Sequence, residues 1–212
     1  MIRVLLVDDH ELVRTAFKLM LNDAQDFEII GEAENGEDAI RLTRELSPDV
    51  IIMDLNMPGI GGFEAIARLL RSNPLTKILI VSARVDGLIP ARLIEMGVAG
   101  YLSKQASAEQ MLVAIRTVYE GGRYIDATMA ENIAMFHIAP AENASPFAHL
   151  SERELQVLLM VADGMETDEI ADKLCLSKKT INGYQCNLLK KLKAKTDVEA
   201  VRIAIEHGMV EI

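Results

Sequence analysis

Through residues 1–121, short apolar runs alternate with amphipathic stretches. Val4 to Val7, Val50 to Met53 and Ile78 to Val81 are apolar at every position, the pattern of strands buried on both faces. Strands are predicted at 2–8, 27–33, 49–54, 77–82 and 100–103. Helices are predicted between and after them at 11–22, 37–46, 62–72, 87–96 and 107–120. In the first of these Leu12, Ala16, Leu19 and Met20 recur at helical spacing. Strands alternating with helices imply right-handed crossovers and a parallel sheet covered on both faces. The expectation for residues 1–121 is therefore α/β: a flavodoxin-like, doubly wound, five-stranded parallel sheet.

The pattern weakens from Gly121-Gly122 onward, and IAPAENASPFAH carries the prolines and small polar residues of a linker. Residues 122–148 are read as that linker, with room for a short helix near 127–137. Beyond it the periodicity is helical throughout. Ser151 and Glu154 form a capping box ahead of an apolar-periodic run. Helices are predicted at 152–163, 167–174, 178–192 and 197–207, so residues 149–212 form a second, all-α domain.

Composition removes several classes. No apolar run approaches the length of a membrane span, and MIRVLLVDDHE meets two acids too soon to be a signal peptide. Two cysteines provide neither a disulfide framework nor a zinc site. A soluble, cytoplasmic protein is expected, with no membrane partner. The net charge of −10 argues against nucleic acid until its distribution is considered. Residues 1–126 hold 13 Lys and Arg against 19 Asp and Glu, whereas residues 150–212 hold 9 against 11. Within that second block Lys178, Lys179, Lys190, Lys191, Lys193 and Lys195 lie in a stretch without any acid.

The candidate chemistry sits at strand ends. Ligands of open parallel sheets bind at the carboxyl ends of strands, and Asp8-Asp9 and Asp54 end neighbouring strands in the order 2-1-3-4-5. Three converging carboxylates need compensation, which a hard divalent cation such as Mg²⁺ supplies. Ser82 and Lys104 end the next two strands. This set suits phosphoryl transfer to a carboxylate: Asp54 as nucleophile, Lys104 as charge partner and Ser82 as hydrogen-bond donor. The backbone carbonyl of Asn56 is a further candidate metal ligand. Taken singly, Asp8-Asp9 could cap a helix, Ser82 fill a strand end and Lys104 sit in a solvated loop. At four matched strand ends they form a site.

In the second domain, DEIADKLCLSKKTINGYQCNLLKKL reads as a short helix, a tight turn at Cys175-Leu176 and a longer helix capped by Ser177. This is helix-turn-helix geometry. Ile181, Leu188, Leu189 and Leu192 mark the core stripe of the longer helix. The face expected to meet double-stranded DNA is Lys178, Lys179, Thr180, Asn182, Gly183, Cys186 and Lys190. Its lysines would meet phosphates, and Asn182 is a candidate reader of adenine. The competing reading is a solvated basic face on a domain that binds a protein partner. Cys175 is expected as a small core residue and Cys186 as a surface one. His10, His137, His149 and His207 are scattered and carry no assigned chemistry.

VLLVDD, DVIIMDLNMPGIGG, VSA and GYLSK together resemble the receiver domain of two-component response regulators. The resemblance implies that Asp9, Asp54 and the Asn56 carbonyl bind Mg²⁺, with Asp8 acting through water. It also implies a sensor histidine kinase as phosphodonor and a switch in which Ser82 moves toward the phosphoryl group and Tyr101 swings inward. Taken alone, Tyr101 is also readable as a half-buried ring on an edge strand. Gln105 departs from the proline found in many receivers. LSERELQVL, EIADKL and LSKKTI resemble the LuxR-type output domain, which implies a homodimer on DNA formed through helix 197–207. The chain is thus similar to regulators of the NarL/FixJ class. Asn182, Tyr184 and the segment from Asp197 to Gly208 are similar to its GacA/UvrY subgroup of global activators. That subgroup implies a hybrid sensor kinase and control of small regulatory RNA genes, while Gln185, Cys186 and Asn187 depart from its more basic pattern. The expected function is a phosphorylation-switched transcription regulator, not an enzyme acting on exogenous substrates.

Overall fold

Strands form wherever the apolar runs lie, because each must be covered on both faces. The computed structural model describes residues 1–82, 88–127, 129–130, 146–207 and 210. The chain divides into two units, a sheet with its helices and a helical one. In the first, β1 (Ile2–Val7), β2 (Phe27–Ala33), β3 (Val50–Met53), β4 (Ile78–Ser82) and β5 (Gly100–Ser103) alternate with five helices. These are α1 (Glu11–Asp23), α2 (Gly36–Leu46), α3 (Gly61–Ser72), α4 (Leu88–Met96) and α5 (Ala108–Tyr119). Their pairings are all parallel, in the order β2-β1-β3-β4-β5.

The sixth strand corrects the expected count of five. β6 (Tyr124–Ile125) pairs with Gly100 and Tyr101 of β5, inside the stretch read as linker. Two residues are too few to show any periodicity, so only the pairing itself reveals the strand. β5 is consequently not an edge strand. The helix expected near 127–137 falls largely outside the described residues.

The sheet is buried on both faces. Val4, Leu6, Val50, Ile52, Leu79, Val81 and Leu102 pack with Met111, Ile115 and Val118 of α5. The alternate residues Leu5, Val7, Ile51, Met53 and Ile80 point the other way and are equally buried. α1 forms where its spacing predicts, but of Leu12, Ala16, Leu19 and Met20 only Met20 is partly buried and the other three face solvent. Leu12 and Leu19 are 82% and 66% exposed, while Arg14 is buried. The inward face is instead Arg14 and Leu21, with Phe17 and Met20 packed against the core.

The helical unit comprises α6 (Glu152–Ala162), α7 (Thr167–Lys173), α8 (Lys178–Leu192) and α9 (Asp197–Glu206). Its core holds Leu155, Leu158, Ile170, Ile181, Leu188 and Ala204. Cys175 is not part of that core. It is exposed, with φ 52°, because the turn between α7 and α8 requires a left-handed residue whose side chain leaves the surface.

A buried carboxylate joins α6 to α8. Glu154 completes the capping box by accepting from Ser151 N–H at 2.7 Å, and its Oε2 lies 2.6 Å from Lys191 Nζ. Burial would raise the Glu154 carboxyl, but Lys191 and Ser151 outweigh it and hold the pKa below its ordinary value. A depressed carboxylate contributes stability above its unfolded pKa and loses it as pH falls through the folded one. Urea midpoints should therefore fall across the acid carboxylate range in wild type. The Glu154→Gln variant should be about 1 kcal/mol less stable at pH 7, with a flatter acid limb.

Candidate functional site

Register brings the acids together. Val7 of β1 lies beside Met53 of β3, so Asp8 and Asp54 leave adjacent strands at the same level. Backbone bonds fix both exits: Asp54 N–H donates to the Val7 carbonyl at 2.8 Å and Asp8 N–H to that of Ala33 at 3.1 Å. Across the sheet Ser82 pairs with Ser103, and Lys104 N–H donates to the Ser82 carbonyl at 2.9 Å. Lys104 Nζ then reaches back to Asp8 Oδ2 at 2.7 Å and Asp54 Oδ2 at 2.9 Å. Asp54 Oδ1 accepts the N–H of Leu55 at 2.7 Å.

Asp54 is only 3% exposed and Asp8 4%. Burial pushes the Asp54 carboxyl above its ordinary value, against the pull of Lys104, and the charge of Asp8 adds to the rise. For Lys104 burial acts the other way, but its ion pairs with Asp8 and Asp54 prevail and hold the ammonium above its ordinary value.

The first turn of α3 packs directly on the backbone of Asp54. Gly62 N–H donates to the Leu55 carbonyl at 3.1 Å, and a Cβ at Gly62 would stand 2.0 Å from the carbonyl oxygen of Asp54. Asn56 is exposed on the same loop, two residues beyond Asp54. Ser82 and Tyr101 are fully buried. Tyr101 is therefore neither half-buried nor on an edge.

Two residues without assigned chemistry also belong here. Arg14, buried under α1, donates to the Asp8 carbonyl at 2.7 Å and pairs with Glu34 at 2.5 Å and Glu32 at 3.3 Å. It holds the loop that carries both acids. His10 stands over them, its Nδ1 3.2 Å from Asp8 Oδ1 and 2.7 Å from Asp9 Oδ1. One carboxylate oxygen or ring nitrogen each from Asp8, Asp9, His10 and Asp54 lies within 4.8 Å of the others. The only sequence signal for either was position, since an Arg and a His near a strand end read as solvated side chains.

The donor set fits a hard divalent cation. Three carboxylates against the one Lys104 ammonium leave the cluster at −2. Asp9 Oδ1 is buried and accepts no hydrogen bond. An orphaned carboxylate oxygen beside two others is an acceptor that a cation satisfies.

In the helical unit, α7, the turn and α8 form a helix-turn-helix. Ser177 caps α8 by accepting the N–H of Thr180 at 3.1 Å. Ile181, Leu188 and Leu192 are buried and Leu189 partly so, while Lys178, Lys179, Asn182, Gly183, Cys186 and Lys190 are exposed and Thr180 half-exposed. Two lysines of α8 have structural partners: Lys178 pairs with Asp168 of α7, and Lys191 with Glu154. Gln185 is buried, not on the outer face. It accepts from Thr167 Oγ1 at 3.4 Å and donates to Asp197 Oδ2 at 3.3 Å, tying α8 to the first residues of α7 and α9.

Residues 4–116 match the response regulator receiver domain family, and residues 148–204 match the luxR family of bacterial regulatory proteins. The chain belongs to the response regulators. The regulator is 47% identical to the response regulator GacA of Pseudomonas aeruginosa over 211 residues, covering 100% of this chain and 99% of that one. It is 45% identical to the response regulator UvrY of Escherichia coli K12 over 209 residues, covering 99% and 96%. Among solved structures it is similar to RcsB of Salmonella enterica serovar Typhimurium, bound to the promoter rprA with the phosphomimetic BeF₃⁻. That similarity has a TM-score of 0.67 and 25% identity, over 96% of this chain and 98% of that one. A receiver joined to a LuxR-type domain makes the regulator a phosphorylation-dependent, DNA-binding transcription factor rather than a classical enzyme. The receiver implies a sensor kinase partner. Among the described residues, no helix is long and apolar enough to cross a membrane.

Proposed function

We propose that Asp54 is the phosphoacceptor and that its phosphorylation switches dimerisation and DNA binding by the helical domain. The observation that carries this is the single ammonium of Lys104 shared between buried Asp8 and Asp54, with the Asp9 carboxylate in the same cluster. A carboxylate oxygen of Asp54 attacks phosphorus as the P–N bond to the kinase histidine breaks and the electron pair leaves on the imidazole. Lys104 transfers its hydrogen bonds from the carboxylates to the phosphoryl oxygens, and Ser82 donates its hydroxyl to one of them. Asp9, Asp54 and the Asn56 carbonyl would hold Mg²⁺, with Asp8 assisting through water, and the ion would supply charge neutralisation on the transferring group. Tyr101 is the internal element through which the new charge biases β5 and its neighbours.

On the output side, Lys178, Lys179 and Lys190 meet phosphates, and Thr180, Asn182, Gly183 and Cys186 face the base edges. The regulator binds as a homodimer through α9, whose Val198 is 80% exposed. Likeness to GacA and UvrY supports a hybrid sensor kinase, a cytoplasmic location and small regulatory RNA genes as targets.

Incubation with Mg²⁺ and a small phosphodonor should add one phosphoryl group, which peptide mapping finds on Asp54; a modified aspartate elsewhere overturns the assignment. The Lys179→Ala, Lys190→Ala double variant should weaken DNA binding and reduce the log–log salt slope by up to about 2. An unchanged slope would favour a protein partner for the helical domain.

A further inference from the structure

Tyr101 owes its burial to the short strand beside it. Registered residues of a parallel ladder project their side chains to the same face. Tyr101 is registered with Ile80 of β4 on one side and Ile125 of β6 on the other, so two isoleucines flank its ring. The opposite face is that of Leu102 and Tyr124, packed toward α5. Tyr101 is fully buried, while Ile125, at the sheet edge, is half-buried. Without β6, β5 would be the edge and the ring would lie open on one side.

β6 is also lightly held. Tyr124 N–H donates to the Ala99 carbonyl at 3.1 Å, and Asp126 N–H to that of Tyr101 itself at 3.4 Å, a long bond. A strand of two residues has no stability of its own, so its pairing depends on the surface that β5 offers. Gly100 permits the approach, since a Cβ there would stand 2.9 Å from the Tyr124 carbonyl oxygen. Past β6, Ala130 N–H donates to the Asp126 carbonyl at 2.8 Å, and the receiver unit ends at Ala130. The strand nearest that exit is therefore the one bonded to Tyr101.

We propose that Ile125 is a positioning residue for Tyr101, so that an inward Tyr101 and a paired β6 form and dissolve together. Two states linked in this way stabilise each other reciprocally: whatever favours the inward ring also orders β6. With Asp54 as the proposed acceptor, phosphorylation favours the inward ring and so tightens β6, which fixes the point where the chain leaves the receiver. The inference rests on the reading of Asp54 as phosphoacceptor and of Tyr101 as the element it biases.

The test is amide hydrogen exchange at Tyr124 and Asp126 in the full chain, with Mg²⁺, before and after treatment with a small phosphodonor. Protection of both amides should rise roughly tenfold on phosphorylation of wild type and stay unchanged in Asp54→Asn. Ile125→Ala should still be phosphorylated but lose most of that rise, and its phosphorylation-dependent gain in DNA affinity should fall roughly fivefold. Ile125→Val, which keeps the β-branched flank, should retain both. A purely structural role for Ile125 would shift the DNA affinity of both states together and leave their ratio unchanged, which overturns the proposal. Unchanged protection in wild type phosphorylated on Asp54 overturns it as well. No phosphoryl uptake on Asp54 overturns the reading of the site and the proposal with it.

Discussion

Replacing Asp54 by Asn should abolish phosphoryl uptake and, in the cation-free protein, stabilise the fold by on the order of 1 kcal/mol. Uptake should be lost because an amide oxygen at the proposed acceptor forms no aspartyl-phosphate. The gain follows from the buried charge: desolvation raises the Asp54 carboxyl and the Asp8 charge raises it further. An acid whose folded pKa is raised costs stability at every pH above that pKa, and the cost disappears below its unfolded value. Neutral pH lies on the costly side. Asn keeps an oxygen for the Leu55 N–H, and Lys104 keeps its pair with Asp8. Urea unfolding in chelator at pH 7 measures this, and a lower midpoint for Asp54→Asn than for wild type would contradict it. Added Mg²⁺ should narrow the gap by compensating the wild-type carboxylates.

The second large effect needs only one methyl group. Gly62→Ala places a Cβ 2.0 Å from the Asp54 carbonyl oxygen and 2.8 Å from Leu55 Cα, both backbone atoms that no rotamer change can move. Either α3 or the strand end must shift by about 1 Å. The expected cost is about 2–4 kcal/mol, the range of overpacked and strained sites. A displacement of that size at Asp54, the proposed acceptor, should also slow phosphorylation roughly 100-fold. Gly183→Ala is the control, for nothing lies within 4 Å of its added Cβ in the middle of α8. There alanine should raise stability by about 0.5–1 kcal/mol through helix propensity alone. Thermal melts of the two variants should therefore move in opposite directions.

Those two glycines mark what a sequence can and cannot disclose. The fold of the receiver was legible because buried parallel strands must be apolar throughout, and their ends then identify Asp8, Asp9, Asp54, Ser82 and Lys104. Helical period likewise separated Ile181, Leu188 and Leu192 from the exposed face of α8. The features that escaped depend on contacts between distant segments. Arg14 reads as a solvated charge and is buried because the Asp8 carbonyl and two glutamates of β2 and its exit wait for it. Gln185 reads only as a departure from a more basic pattern, and the fold uses it to join three helices. Cys175 looks like a small core residue until the turn imposes φ 52°. His10 carries no motif of its own, and only the fold sets it above two carboxylates.

We propose that charge added at Asp54 governs DNA binding by α8. It is tested most directly by the affinity of the purified full chain for a target DNA fragment at fixed salt, with Mg²⁺, before and after treatment with a small phosphodonor. Phosphorylation should tighten binding roughly tenfold or more, a coupling of about 1–3 kcal/mol, and Asp54→Asn should show no response to the donor. Equal affinity in both states, with Asp54 stoichiometrically phosphorylated, would contradict it.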